Sequence, residues 1–229
     1  MKQSWCDLLF AHWPVPVDAV RHRVPAGLEV DVFGGSAWIA VVPFRMADVR
    51  LRALPTVPGT GAFLELNVRT YVTAEGKPGV WFFSLDAALR VAVAAARTWF
   101  GLPYWRAEMS LGRAGGAIEY ASRRTHKGAP PAELRVRYAP AGEVFRSAPG
   151  TLEHLLTERY CLYAPARRGF VRGEVHHAPW PLRRAEAELR VNTMAAAAGF
   201  AVPETSPHLL FAERIDTVVW APRRLDSKA

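Results

Sequence analysis

Four polar residues alternate with apolar ones in the stretch FLELNVRTYV, residues 63–72. Glu65, Asn67, Arg69 and Tyr71 have the two-residue spacing that places side chains on one face of a β-strand, while leucine and valine occupy the other face. A carboxyl group, an amide, a guanidinium and a phenol on one face can exchange protons and can bind an anion. The row therefore predicts either a functional site or a hydrated outer face.

The next predicted strand favours the site. After the turn TAEGKPG, the segment GVWFFSLD forms a hairpin with FLELNVRTYV, and bulky apolar side chains then share a face with the polar row. A strand that is apolar on both faces is normally covered on both faces. We therefore expect the row to line an enclosed space, where Glu65 and Arg69 either form an internal ion pair or await a charged ligand.

Motifs for other common chemistries do not occur at the required places. No nucleophile elbow, phosphate-binding loop or dinucleotide-binding glycine motif follows a predicted strand. His176 and His177 are adjacent on a predicted strand and must point to opposite faces, and His12 and His154 have no partner at ligand spacing. We expect structural roles for these histidines, no metal and no cofactor.

Length and composition predict one domain that spans residues 1–229. Half of the 229 residues are hydrophobic, and the chain contains neither a repeat nor a low-complexity linker. No apolar run approaches the ~18 residues needed to cross a bilayer, and the N-terminal stretch lacks the features of a secretory signal, so we expect a cytoplasmic protein. Cys6 and Cys161 lie far apart and are expected to be reduced.

The net charge of +8 raises the alternative of a basic nucleic-acid or protein interaction module. The arginines occur as separated pairs rather than in one tract, which favours a solvated basic surface and makes a nucleic-acid partner the lesser alternative. Only four of the 29 basic residues are lysines, namely Lys2, Lys77, Lys127 and Lys228. A homo-oligomer is compatible with this composition.

Short strands separated by turn residues dominate the pattern. Hairpins are predicted around Gly34 and Gly35, around Gly76, Pro78 and Gly79, and around GRAGG at residues 112–116; further strands are ELRVRYAP, YCLYA, FVRGEVHH and TVVWAP. This strand count predicts an α+β protein, mainly antiparallel β, built as a barrel or sandwich with a few packed helices.

Four helices are predicted. Three are short: 17–22, 151–160 with Thr151 as its cap, and 194–198. The longer one is DAALRVAVAAARTWFGLP, with Asp86 as N-cap, a buried stripe and Gly101 just past its end. Arg97 lies beside that stripe and is expected to reach inward.

Seven segments carry a resemblance to a known family: HWPVP, SAWIAVVPF, FLELNVRTYV, GVWFFSLDA, ARTWFGLPYW, LTERYCLYA and HHAPWPL. Together they resemble the YqjF-like family of uncharacterised bacterial proteins, which is similar to the acetoacetate decarboxylase-like superfamily. The resemblance covers nearly the whole chain and implies a curved antiparallel β-barrel or cone around an internal pocket.

The resemblance also bears on the reaction. In the decarboxylases, the lysine of the pattern R-E-x-x-G-x-P-K forms a Schiff base with a β-keto acid. The similar segment RTWFGLPYW matches at Arg97, Gly101 and Pro103, but Tyr104 stands in place of the lysine. Glu65 looks similar to a strand glutamate of the decarboxylase pocket.

A Schiff base requires an amine held deprotonated, and the four lysines occupy termini or predicted turns where they should be solvated. We therefore expect a site that binds a small anionic, carboxylate-type molecule without imine chemistry. Glu65 and Tyr104 are its candidate acid and base, and Asn67, Arg69, Tyr71 and Arg97 its ligand-binding residues. A lysine-independent lyase, hydratase or isomerase and a non-catalytic sensor or carrier both fit these residues.

Overall fold

A computed structural model describes residues 1–50, 61–90, 93–94, 97, 102–166 and 169–225. Within these ranges, thirteen strands form one sheet, and three short helices have complete bounds. The strands are β1 Lys2–Val15, β2 Glu29–Val30, β3 Ala37–Arg50, β4 Phe63–Ala74, β5 Lys77–Ala87, β6 Tyr104–Ala114, β7 Ala117–Arg124, β8 Glu133–Phe145, β9 Cys161–Pro165, β10 Phe170–His177, β11 Leu182–Asn192, β12 His208–Val219 and β13 Arg223–Leu225. The helices are α1 Val17–Arg21, α2 Leu152–Thr157 and α3 Met194–Ala197.

Nine strands close into a ring in the order β4, β5, β6, β7, β8, β11, β12, β1, β3 and back to β4. Neighbours in the ring are antiparallel except β5 and β6, which pair in parallel only through Leu85–Ala87 and Tyr104–Arg106. A second connection joins β5 to β12 through β9 and β10. The strands β5, β4, β3, β1 and β12 therefore belong to both closed paths.

Two hydrophobic cores lie on opposite faces of these shared strands. The first core fills the ring and combines side chains from the shared strands with others from β7 and β8, such as Val68, Tyr120 and Val136. The second core lies outside the ring, where Phe10 and Val42 pack with residues from α2 and from the segment after β10. Because side chains alternate along a strand, both faces of the shared strands are buried.

The predicted fold class is confirmed: the chain is α+β, mainly antiparallel, with a curved sheet that closes on itself. The predicted helices at 17–22, 151–160 and 194–198 correspond to α1, α2 and α3, and Thr151 Oγ1 accepts a hydrogen bond from the backbone N–H of His154 at 3.3 Å. Cys6 and Cys161 are free and buried. None of the described helices is long and apolar enough to cross a membrane.

The hairpin predicted at Gly34 and Gly35 is wrong in its pairing. Both glycines have positive φ in a tight turn, but the pairing there is one isolated bridge between Phe33 and Ser36. β2 pairs with β4 and not with β3, because β3 is already flanked by β1 and β4. The strands β1, β11 and β13 have no counterpart in the sequence prediction.

Asp86 is not a helix N-cap. It lies in β5, fully buried, where both carboxylate oxygens accept hydrogen bonds from Arg124 at 2.7 Å. The bidentate guanidinium holds this part of the chain in the sheet. Of the predicted helix, Arg90, Val93, Ala94 and Arg97 are helical, whereas residues 91–92, 95–96 and 98–101, with Gly101, lie outside the described residues.

The turn between β4 and β5 is tighter than predicted. Glu75 and Gly76, both at positive φ, form it, whereas Pro78 and Gly79 already belong to β5. Gly79 has a packing role instead: a Cβ atom there would lie 2.6 Å from the Cys161 carbonyl oxygen and from the Tyr163 ring. The missing side chain lets β9 approach β5.

We expect Gly79→Ala to lower the free energy of unfolding by about 1–3 kcal/mol, because the new methyl group meets backbone that cannot give way easily. Urea denaturation followed by circular dichroism measures the change. Gly112→Ala is the control, since a Cβ atom at Gly112 has no neighbour within 4 Å. Equal stability of the two variants would contradict this account of the contact between β5 and β9.

Candidate functional site

The polar row of β4 is buried, but it lies outside the ring. Glu65 and Asn67 are each 4% exposed, Tyr71 is fully buried and Arg69 is half-buried, so the hydrated-face alternative is wrong. The row faces away from the interior of the nine-strand ring, and its role as the lining of a ligand pocket stays a prediction. The row lies opposite Ala40, Val42 and Phe44 of β3, which pack in the second core, whereas Leu66 and Val68 face the ring interior.

Glu65 and Tyr104 form a hydrogen-bonded pair at one end of the row. The Tyr104 hydroxyl donates to Glu65 Oε2 at 2.8 Å. The short parallel pairing of β5 and β6 brings them together, because it sets Tyr104 beside Leu85, whose partner on β4 is Asn67. Two residues far apart in sequence thus share one face.

Burial changes the acidity of both groups. It raises the pKa of Glu65 from 4.5 to about 7; the hydrogen bond from Tyr104 opposes this shift, and the Asp86 carboxylate adds to it. Burial and the nearby Glu65 carboxylate raise the pKa of Tyr104 well above its ordinary value. Near neutral pH, Glu65 can therefore give or take a proton, while Tyr104 remains a hydrogen-bond donor.

The backbone at Glu65 is held from inside the ring. The hydroxyl of Tyr120 donates to the carbonyl oxygen of Glu65 at 2.8 Å and lies 3.3 Å from that of Phe44. The Glu65 carboxyl group thus projects from a strand that is fixed on its other face.

Arg69 makes no ion pair with any described residue. Of the two alternatives for Glu65 and Arg69, the internal ion pair does not form, and Glu65 accepts a hydrogen bond from Tyr104 instead. The Arg69 guanidinium lies 5.5 Å from the Phe10 ring centroid and 5.7 Å from that of Tyr71. Its Nε atom and Asn67 Oδ1 are buried and have no hydrogen-bond partner in the described part of the chain.

His12 is a member of this face that the sequence prediction missed. It is fully buried, its Nε2 lies 2.8 Å from the Tyr71 hydroxyl, and its Nδ1 lies 3.3 Å from the carbonyl oxygen of His208. A carbonyl only accepts, so Nδ1 carries the proton and Tyr71 donates to Nε2. Burial and Arg69 hold the pKa of His12 well below its usual value, so it is neutral.

The row has two ends that a single small group cannot reach together. Glu65 and Tyr71 are six positions apart, and a strand rises about 3.3 Å per residue, so their Cα atoms are roughly 20 Å apart. The Glu65–Tyr104 pair lies at one end and the Tyr71–His12 pair at the other. Asn67 and Arg69 lie between them.

Arg97 does not reach inward as predicted. It is exposed, its guanidinium donates to the backbone carbonyl of Tyr104 at 2.7 Å, and it lies 4.7 Å from the Trp105 ring centroid. Trp105 faces the ring side of the sheet with Asp86, opposite to Tyr104. Among the described residues, Arg97 therefore contacts the site through the backbone of Tyr104.

The described lysines Lys2, Lys77 and Lys127 are all exposed, and Lys77 forms an ion pair with Glu174 at 2.6 Å. Lys228 lies outside the described residues. His177 is buried and His176 exposed, as their opposite orientation requires. Over the described ranges, no three His, Cys, Asp or Glu side chains come together as a metal site.

The closed, curved sheet is the fold of acetoacetate decarboxylase-like enzymes. The enduracididine biosynthesis enzyme MppR, solved with the condensation product of pyruvate and imidazole 4-carboxaldehyde, superposes with a TM-score of 0.69 at 16% identity over 100% of this chain and 90% of its own. An acetoacetate decarboxylase-like enzyme from Sphingomonas wittichii RW1 gives a TM-score of 0.65 at 12% identity over 99% and 93%.

Within this fold class, the chain belongs to the DUF2071 family of uncharacterized conserved proteins, whose sequence model matches residues 2–216. The uncharacterized protein YqjF of Bacillus subtilis (strain 168) is 46% identical over 224 residues, which cover 98% of this chain and 92% of that protein. The resemblance to the YqjF-like family is confirmed.

The raised pKa of Glu65 predicts a specific pH dependence of stability. The folded protein binds this proton more tightly than the unfolded chain, so the free energy of unfolding falls as pH rises from about 4.5 to 7. At about 1.4 kcal/mol per pKa unit, we expect wild type to lose roughly 3 kcal/mol over this range relative to Glu65→Gln. Urea denaturation between pH 4.5 and 8 measures the difference.

Glu108→Gln is the control for this titration, because Glu108 is an exposed carboxylate paired with Arg123. It should follow wild type. Parallel pH profiles for wild type and Glu65→Gln would show that Glu65 titrates as an ordinary glutamate.

Proposed function

We propose that the outer face of β4 binds a small anionic organic molecule between the Glu65–Tyr104 pair and Arg69. The observation that carries the proposal is Arg69, a half-buried guanidinium without an acidic partner among the described residues. A buried charge is costly unless it is paired, so an anion from solution is the natural complement.

Unpartnered polar atoms support the same location. In native proteins, nearly all buried polar atoms have a hydrogen-bond partner. Of the eight buried side-chain atoms without a partner in the described chain, four belong to the polar row, to α2 or to the second core: Asn67 Oδ1, Arg69 Nε, His154 Nδ1 and Trp180 Nε1. A bound molecule in this region would satisfy several of them at once.

Glu65 and Tyr104 would act on the uncharged part of the ligand. A carboxyl group with a pKa of about 7 suits general acid–base catalysis near neutral pH, and Tyr104 can donate a hydrogen bond to a carbonyl or hydroxyl oxygen. These groups fit a lyase, hydratase or isomerase that works without a lysine. They equally fit a carrier or sensor in which the same contacts only bind.

Similar proteins support a small-molecule ligand. MppR was solved with a condensation product of pyruvate, which shows that a related fold can hold a compact organic acid derivative. The exposed lysines of the described chain lack the burial that would keep an amine deprotonated, so we propose that no Schiff base forms.

The exposed strands β8 and β11 do not favour a polyanion surface. Arginines there lie beside glutamates, as in the pairs Arg135–Glu133 and Arg190–Glu188. Alternating charges of this kind neutralise one another locally, which weakens the case for nucleic-acid binding.

A thermal-shift panel of pyruvate, acetoacetate and 3-hydroxybutyrate tests the anion site. We expect at least one of these acids to raise the melting temperature of wild type at millimolar concentration and to lose this effect in Arg69→Met, which keeps the length of the side chain but removes its charge. Arg190→Met is the control, because Arg190 is exposed and paired with Glu188. Equal responses of wild type and Arg69→Met would refute the role of Arg69.

Borohydride reduction in the presence of acetoacetate tests the absence of imine chemistry. We expect the intact mass of the protein to remain unchanged, since every described lysine is solvated. A stable adduct mapped by peptide mass spectrometry to Lys77 or Lys127 would contradict the proposal.

A further inference from the structure

The segment between β10 and β11 places an indole against the second core. Trp180, in the motif HHAPWPL, is 2% exposed, and its backbone N–H donates to Glu158 Oε1 at 3.0 Å. Trp5 stacks on its ring with centroids 6.0 Å apart. The orientation of the indole is thus fixed, yet its Nε1 has no hydrogen-bond partner in the described chain.

Trp180 and Arg69 are neighbours of the same aromatic ring. The Trp180 ring stands nearly perpendicular to Phe10, at 89°, with centroids 5.1 Å apart, and Arg69 Cζ lies 5.5 Å from the Phe10 centroid. Both residues thus lie against Phe10, and each has a buried N–H group without a partner in the described chain. Neither an indole nor a guanidinium can accept a hydrogen bond.

We propose that Trp180 Nε1 and Arg69 Nε together bind the carboxylate end of the ligand beside Phe10. This inference rests on the proposed function and adds a contact residue that the sequence did not suggest. Two N–H donors without an acceptor favour a ligand group that only accepts hydrogen bonds, such as a carboxylate. The single positive charge of Arg69, which has no acidic partner in the described chain, matches a monoanion better than a phosphate dianion.

The acidic groups near Trp180 are already engaged. Glu158 accepts from the Trp180 backbone and from the Tyr160 hydroxyl, and Glu153 forms an ion pair with Arg184 at 2.8 Å. With its carboxylate held beside Phe10, the ligand would extend past Asn67 towards Glu65 and Tyr104. The ligand class is therefore a monocarboxylic acid with a carbonyl or hydroxyl group remote from the carboxylate.

Indole resonances of ¹⁵N-labelled protein test this contact. The Trp180 Nε1–H signal is identified by its loss in Trp180→Phe, or by triple-resonance assignment of wild type if that variant does not fold. On titration with 4-oxopentanoate, 6-oxoheptanoate or 6-hydroxyhexanoate, whose carbonyl or hydroxyl group is remote from the carboxylate, we expect the Trp180 indole proton to move downfield as it gains an acceptor. Trp180→Phe should weaken binding of the same acid about tenfold or more, as expected for a lost hydrogen bond to a charged group.

Trp38→Phe is the matched control. Trp38 also packs against the second core, but its indole N–H already donates to the Phe33 carbonyl at 3.4 Å, so its loss should leave the affinity within about twofold. If other resonances shift while Trp180 stays unmoved, the carboxylate contact is refuted and the proposed function stands. If none of the three acids shifts any resonance, the proposed function fails with it.

Discussion

Burial of both faces of the shared strands is the constraint on which the rest of the structure depends. β5, β4, β3, β1 and β12 form part of the ring and also carry the second core on their outer side. Any polar residue on either face must therefore find a partner inside the protein. Asp86 meets this requirement through Arg124, and Tyr120 through the carbonyl oxygen of Glu65. Arg69, by contrast, has no acidic partner among the described residues.

Buried polar groups on the two faces of these strands differ in the partners that they bind. On the ring side, Asp86 and Tyr120 are paired and stabilise the closed sheet, whereas the hydroxyls of Ser84 and Ser122 have no partner in the described chain. On the outer side, Glu65 is bonded to a neutral phenol instead of a cation, so burial raises its pKa and the carboxyl group keeps its proton up to near neutral pH. The candidate site thus contains a buried carboxyl group that has no cationic partner among the described residues.

Local patterns predicted much of this molecule. Alternation identified β4 and the polar row, glycine turns identified the hairpin of β6 and β7, and Thr151 marked the start of α2. Alternation could not decide which face of β4 lay inside the ring, because both are buried. The pairing of β4 with β5 even contains a bulge next to Arg69, and a shift of one residue reverses the faces. β11 escaped prediction because its alanines, glutamates and arginines favour helices, and only pairing with β8 and β12 makes it a strand.

The parallel contact between β5 and β6 is three residues long, and it closes the ring beside Glu65 and Tyr104. If the pairing of β5 with β6 opened, most of the antiparallel hairpins would remain, but Glu65 and Tyr104 would separate. Under the proposed function, ligand binding would therefore require the closed sheet. A ligand bound at the proposed site would in turn stabilise the closed sheet relative to partly assembled forms.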